Sequence, residues 1–257
     1  MGAADERLQG TGRGDCESGI DLRLREEVRA ENCSDFSHIS KMTVELFTIL
    51  WYNMNTKSEQ TNQGLRRINM TVDVYENCPI YENEYYMLRM TNKEDKADLL
   101  KVYSDEKSVP FFNSDNCGGD DFYYTTEKRM EQAIEFWHWE YDRQGFVRWT
   151  IVSKETNEAV GTIELFHREA EDYFTNCGLL RLDIRSDYEI TSEIVKILEL
   201  IIEPAYVLFQ CDKIATKAID LAVERISALK RLGFKYSEEK LIGHDGTEYD
   251  SYYVLEQ

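Results

Sequence analysis

At 257 residues and 30.2 kDa the chain is long enough for one large domain or two small ones with a substantial buried core. Against 30 Lys and Arg stand 49 Asp and Glu, a formal charge of −19, so the averaged surface repels phosphate backbones and anionic lipid, and general nucleic-acid binding is disfavoured. Hydrophobic residues at 42% and aromatics at 12% supply enough apolar material to exclude wholesale disorder.

Residues 1–70 read as a weakly ordered leader: Gly2, Gly10, Gly12, Gly14 and Gly19 crowd the opening, and the charged run Asp21 to Glu31 has few apolar positions. One piece, Val44 to Tyr52, is apolar enough to dock. Met70 precedes a change in texture, so translation starting there, or at Met42 or Met54, is one expectation. Residues 71–257 read as the folded domain, with mixed α/β patterning from about Tyr85. Tyr86 to Met90 predicts a strand and Glu94 to Tyr103 a helix. After a loop through Pro110, Phe111 and Asn116-Cys117-Gly118-Gly119-Asp120-Asp121, a helix is predicted from Met130, Ala133, Ile134, Trp137 and Tyr141, capped by Thr126-Glu127 and ended by Gly145. Val147 to Val152 and Ala159 to Phe166 alternate around the polar turn Lys154 to Glu158, which predicts a hairpin. Leu180, Leu182 and Ile184 alternate with Arg181, Asp183 and Arg185 in a further strand. Ile194, Ile197, Leu198, Ile201 and Ala205 then mark one long helix that Pro204 should kink or end. Lys213 to Ile219 reads as a strand and Ala222 to Leu232 as a helix closed by Gly233. The turn His244-Asp245-Gly246 predicts a terminal hairpin joining Lys240–Ile242 to Tyr252–Leu255.

The six cysteines, Cys16, Cys33, Cys78, Cys117, Cys177 and Cys211, stand singly, with no CxxC pair and no His at ligand spacing. Neither a metal site nor a disulfide framework is expected, and the thiols read as reduced and cytoplasmic. No run approaches the roughly 18 consecutive apolar residues of a membrane span, and the N-terminus does not read as a secretory signal, so no membrane partner is expected.

The element order, with Ala159-Val160-Gly161-Thr162-Ile163 in the meander, a strand feeding a long helix, and Leu229-Lys230-Arg231-Leu232-Gly233-Phe234-Lys235 closing the last helix, resembles the GNAT superfamily of acyl-CoA-dependent N-acyltransferases. The likeness is nearest to its ribosomal-protein-acetyltransferase-like branch and covers residues 85 to 257. It implies an α+β fold: a central, mostly antiparallel, splayed sheet flanked by helices. It also implies acetyl-CoA as co-substrate. The family holds the pyrophosphate on backbone N–H groups of a glycine-containing loop ahead of the long helix, where a helix N-terminus favours anions. The matching residues are Leu182, Asp183, Ile184, Arg185, Ser186, Asp187, Tyr188, Glu189, Ile190 and Thr191. This stretch has no glycine: Asp187 and Glu189, or Tyr188 and Ile190, hold the glycine positions, so the loop is degenerate. Carboxylates there suit the helix dipole by roughly 0.3–1 kcal/mol each but repel a diphosphate. Where the branch has an Asn and a Ser in the last helix, this chain has Ala222 and Arg225, and Leu229 replaces the usual acidic Tyr.

For a general base, Glu164 on the polar face of its strand is the first candidate and His138 the second, by intrinsic pKa. The aromatics Phe111, Phe112, Phe122, Tyr123, Tyr124, Tyr249, Tyr252 and Tyr253, with Asp120, Asp121 and Asp245, read as core or as the wall of an amine pocket. The net charge favours a cationic acceptor by steering. The leading expectation is a cytoplasmic N-acyltransferase, monomer or homodimer, moving an acetyl group from acyl-CoA directly to a primary amine of a small molecule or protein. The alternative is a non-catalytic GNAT-fold binding module that has lost acetyl-CoA binding.

Overall fold

The computed structural model describes residues 73–257; the leader expected over residues 1–70 lies outside the described residues. In chain order the elements are β1 (Tyr81–Glu82), β2 (Tyr86–Met90), α1 (Lys96–Tyr103), α2 (Glu127–Asp142), β3 (Val147–Ser153), β4 (Ala159–Arg168), β5 (Cys177–Ile184), α3 (Thr191–Leu198), α4 (Ile202–Leu208), β6 (Lys213–Lys217), α5 (Val223–Arg231), β7 (Lys235–Tyr236), β8 (Leu241–Ile242), β9 (Glu248–Tyr249) and β10 (Tyr252–Glu256). Eight strands form one sheet in the order β1-β2-β3-β4-β5-β6-β10-β7, antiparallel throughout except between β5 and β6. This is the α+β architecture expected.

Period-two alternation gives the sheet two unlike faces. Val147, Trp149, Ile151, Ile163, Leu165, Leu180, Leu182 and Ile184 join Ile194, Ile197, Ala205, Ala228 and Leu229 from α3, α4 and α5 in the main apolar core. Each Val, Leu or Ile among them contributes about 1.5–3 kcal/mol when fully buried. The intervening residues Arg148, Thr150, Thr162, Glu164, Arg181 and Asp183 are also buried. With Leu99, Tyr103, Met130, Ile134 and Trp137, α1 and α2 form a second core. The polar ladder contacts that layer through Tyr103, whose hydroxyl meets Thr162 Oγ1 and Asp183 Oδ2, both at 2.8 Å.

Local chemistry explains most element ends. Thr126 accepts from the N–H of Arg129 and caps α2. Gly145 was expected to end that helix through a left-handed turn, but Gln144 takes the positive φ, 63°. The glycine instead leaves room for the Glu140 carboxylate, whose Oε2 would stand 2.0 Å from a Cβ at that position. The long helix is two helices: the chain breaks at Glu199–Ile201, because the Pro204 ring collides with the carbonyl four residues earlier, at Leu200. The terminal hairpin also differs from expectation. Leu241–Ile242 pairs with Glu248–Tyr249, while Tyr252–Glu256 inserts between β6 and β7 of the large sheet. The strand expected from Leu180 starts at Cys177.

One feature positions the site. β5 and β6 pair in parallel from Cys177↔Lys213 to Leu180↔Thr216, and their pairing stops there. Arg181 to Ile184 continue alongside β4 but without β6 on the other side. The sheet therefore opens between two neighbouring strands.

Candidate functional site

The opening is filled from α5. Ala222, Arg225, Ala228 and Leu229 are all buried, so helical spacing aims Arg225 inward. Its Nη1 donates to the carbonyls of Leu182 (2.9 Å) and Phe111 (2.8 Å), the former on the strand edge that β6 has left. Its Nε and Nη2 hold Glu189 bidentately at 2.8 and 2.7 Å, with the two side chains only 3% and 7% exposed. Burial makes both members obligatory, since either alone would be an uncompensated charge.

The loop ahead of α3 is occupied in the same way. Thr191 N–H donates to Glu224 Oε2 at 2.8 Å, and the Thr191 hydroxyl bonds the same oxygen, so α3 is capped by a carboxylate from α5. These bonds hold the Glu224 carboxyl below its usual range. Ser186 N–H donates to Asp105 Oδ2 at 2.9 Å. Arg185 pairs with Asp187 at 2.7 Å and lies over the Tyr188 ring, while Tyr188 meets Tyr86 edge-on. Asp183 is in the polar ladder, Ile184 in the apolar core, and Ile190 exposed. Of the residues matched to the pyrophosphate loop, Ser186 and Thr191 thus present anion-binding donors, and each already holds an anion of the chain itself. Asp105, Asp187, Glu189 and Glu224 face Arg185 and Arg225 here, and in this closed arrangement the loop does not fit a diphosphate.

Beyond Arg181, under α2, lies a cavity of about 580 Å³ walled by Phe122, Phe136, Trp137, Phe146 and Phe166. Arg148, Glu164 and Arg181 form its charged wall. One Glu164 oxygen receives Arg148 Nη2 and the other Arg181 Nη1, at 2.5 Å for the latter. Arg148 Nη1 also reaches Asp183 at 3.0 Å and the Tyr103 hydroxyl at 2.7 Å. Its guanidinium lies 4.3 Å from the Trp137 ring centroid. Burial by itself would raise the Glu164 carboxyl, but the two guanidiniums overcome it and hold the group below the usual carboxylate range. Asp183 is raised by burial, which Arg148 offsets only in part.

These surroundings correct the general-base reading of Glu164. An ionised carboxylate with both oxygens committed to guanidiniums is a poor proton acceptor, and its work is to hold Arg148 and Arg181 in place. His138, half-buried on α2, follows Trp137 in sequence but is not part of the cavity wall. Of the expected aromatic wall, Phe122 and Tyr124 line the cavity with Asp120, whereas Phe112, Tyr252 and Tyr253 are buried in the cores. His244, for which the sequence named no partner, also lines it, its backbone N–H donating to Asn116 Oδ1 at 3.1 Å.

Sequence reasoning placed Arg225 at a site position of the family but gave it no partner, and it missed Glu224. The signal was available in the period of α5: an arginine three residues from Ala222 and from Ala228 shares their buried face, and a charge there demands a partner.

No helix among the described residues is long and apolar enough to cross a membrane. No family model matches the sequence, and no curated protein matches it. Solved structures do. RimL, a ribosomal L7/L12 α-N-protein acetyltransferase in complex with coenzyme A, superposes with a TM-score of 0.53 at 10% identity, over 69% of this chain and 98% of that one. Mycobacterium smegmatis RimJ, in complex with CoA-disulfide, gives 0.51 at 14% identity over 66% and 81% of the two chains. A GNAT-family acetyltransferase from Bacillus anthracis gives 0.51 at 10% identity over 69% and 98%. With its sheet opening after Leu180 and Thr216 and helices on both faces, the described region has the fold of the GNAT acetyltransferases.

Proposed function

We propose that the chain is an N-acyltransferase of the GNAT type, using acetyl-CoA or a related thioester and a primary-amine acceptor, whose donor site is held closed by its own side chains. The observation that carries this reading is the opened β5–β6 edge, with the Leu182 carbonyl turned into the gap, in a fold shared with coenzyme-A-bound structures. Ser186 N–H, Thr191 N–H and Arg225 are the donors available to a phosphate, and at present they hold Asp105, Glu224 and Glu189. A nucleotide would have to displace three carboxylates, anion for anion, and its apparent affinity is reduced by the fraction of molecules that are open. The chemistry left to the chain is orientation, which is worth up to roughly 7–11 kcal/mol when two reactants are held in line.

The second reading is a GNAT-fold binding module in which the carboxylates that occupy these donors are never displaced. Calorimetry with acetyl-CoA on the wild type and on Glu224→Gln decides between them. Glu224 is exposed, so the variant removes charge at the α3 N-terminus with little effect on the core. The first reading expects weak binding by the wild type and tighter binding by the variant. Absence of binding by both at millimolar ligand establishes the second.

A further inference from the structure

The aromatic cavity under α2 holds one acid that the donor-site reading does not use. Ala133, Phe136, Trp137 and Glu140 recur at three- and four-residue spacing, so α2 turns all four to the cavity. The last position of such a stripe ordinarily takes an apolar side chain; here it is Glu140, only 8% exposed. Gly145, also in the wall, leaves the space its carboxylate occupies. Oε2 lies 3.0 Å from Nε of Arg143, a side chain 55% exposed that lies over the exposed Trp139 ring. Oε1 has no partner among the described residues, and a buried acceptor left unused costs about 1–3 kcal/mol.

The other charges of the cavity are already committed. Asp120, which the sequence offered for an amine pocket, is paired with Arg129 and accepts from the Tyr124 hydroxyl. Glu164 has both oxygens on guanidiniums. The unpartnered Nε atoms of Arg148 and Arg181 are enclosed by protein and offer the cavity no donor. An incoming carboxylate would therefore stand as a second anion beside Glu140, whereas an incoming ammonium meets an acceptor with room for it. The last turn of α2 has no basic residue, so the negative end of the helix dipole adds to the pull on a cation. Next to Glu140, Phe136 and Phe146 meet edge to face with centroids 6.3 Å apart, two ring surfaces for the apolar part of a ligand. The volume, about 580 Å³, is that of a small-molecule site.

We infer that this cavity binds a small organic ammonium with an aromatic body, its N–H on Glu140 Oε1 and its ring against Phe136 and Phe146, and that Glu140 sets the preference for a cation. A charge-assisted hydrogen bond in a largely enclosed site supplies the selectivity, and ring contact supplies the apolar part. The inference deepens the acyltransferase reading, on which it rests only for the ligand's role as acceptor; the binding itself needs no coenzyme.

The test is a titration of the full-length protein at neutral pH with 2-phenylethylamine, 3-phenylpropanol and 3-phenylpropanoate, read by tryptophan fluorescence and thermal shift, with no coenzyme present. The amine is expected to bind at least about tenfold more tightly than either analogue. Glu140→Gln, which keeps the shape and removes the charge, is expected to bind amine and alcohol alike. Arg143→Ala alters an exposed side chain and frees Oε2, so it is expected to tighten the amine and leave the alcohol unchanged, a result that a purely structural Glu140 would not give. No binding of the amine at millimolar concentration, an analogue that binds as tightly as the amine, a preference that survives Glu140→Gln, or an amine affinity unmoved by Arg143→Ala would each overturn the assignment. Acetyl-CoA calorimetry reports separately on the donor site, so the two readings fail independently.

Discussion

Replacing Arg225 by alanine tests whether the opened strand edge is held by the buried ion pair. The substitution removes the bidentate bond to Glu189 and the donors to the Leu182 and Phe111 carbonyls, and leaves Glu189, 7% exposed, without its counter-ion. Stranding one member of a buried pair costs about 3–5 kcal/mol. In a domain of this size each kcal/mol moves the midpoint by about 2–4 °C, so Arg225→Ala should melt about 6–20 °C below the wild type. The double variant Arg225→Leu/Glu189→Leu removes the stranded charge along with its partner and should recover most of the loss, because apolar replacements of buried pairs are often neutral or stabilising. Calorimetric or circular-dichroism melts of the four proteins of the cycle, Glu189→Leu included, provide the assay. A fall below about 3 °C in Arg225→Ala, or a double variant that merely sums the single losses, would refute the reasoning.

Three further outcomes are expected. Gly161→Ala should lower the melting temperature sharply or prevent folding, since its Cβ would stand 2.4 Å from the Asp183 carbonyl oxygen and 2.9 Å from Ile184 Cα, both backbone atoms; a near-native melt would show that β4 and β5 can separate locally. Burial pushes the Cys78 and Cys177 thiols up to about 12 and that of Cys117 to about 11, so these three should resist iodoacetamide in the native protein at pH 8, with a Cys117 thiolate fraction on the order of one in a thousand; mass spectrometry showing free-thiol rates at the peptides that carry them would contradict this. Burial raises the Asp172 carboxyl, but Arg168 at 2.6 Å and the Ile242 and Phe174 N–H groups overcome it and hold it below its usual range. Its stabilisation is therefore present above the unfolded pKa, about 4, and lost as pH falls through the folded one, so the gap between wild type and Asp172→Asn in urea melts should be full at pH 7 and close below about pH 4; a pH-independent gap would refute the linkage.

The strands were legible because their alternation survives on both faces of the sheet. Leu180, Leu182 and Ile184 declared one face, and the polar residues between them, although buried, still kept the period. What alternation could not say was that Arg181 and Asp183 point into a second core rather than into water. Charge in a strand reads as solvent exposure, and only Tyr103 on Asp183 and the cross-strand Glu164 on Arg181, distant in sequence, reverse that reading. The helix break at Glu199–Ile201 was signalled by Pro204 but displaced upstream by the reach of its ring. The turn at His244 to Gly246 was recognised correctly, yet its partner was not, since two-residue strands carry too little pattern to fix a pairing. At the site, the missing glycines showed the loop to be altered. The occupant of the gap, Arg225, and the cap from Glu224 depend on contacts of 36 and 33 residues' separation, which local pattern does not encode.

The bidentate contact between α5 and the loop ahead of α3 restricts the mutational routes open to this chain. Losing either residue first leaves a bare ion inside the protein, so each single step is selected against even where the end point is sound. Neutral drift can therefore alter the exposed carboxylates Glu224 and Asp187 far more freely than Arg225 or Glu189. The gap between the parted strands would be among the last features of the molecule to change, irrespective of what it binds.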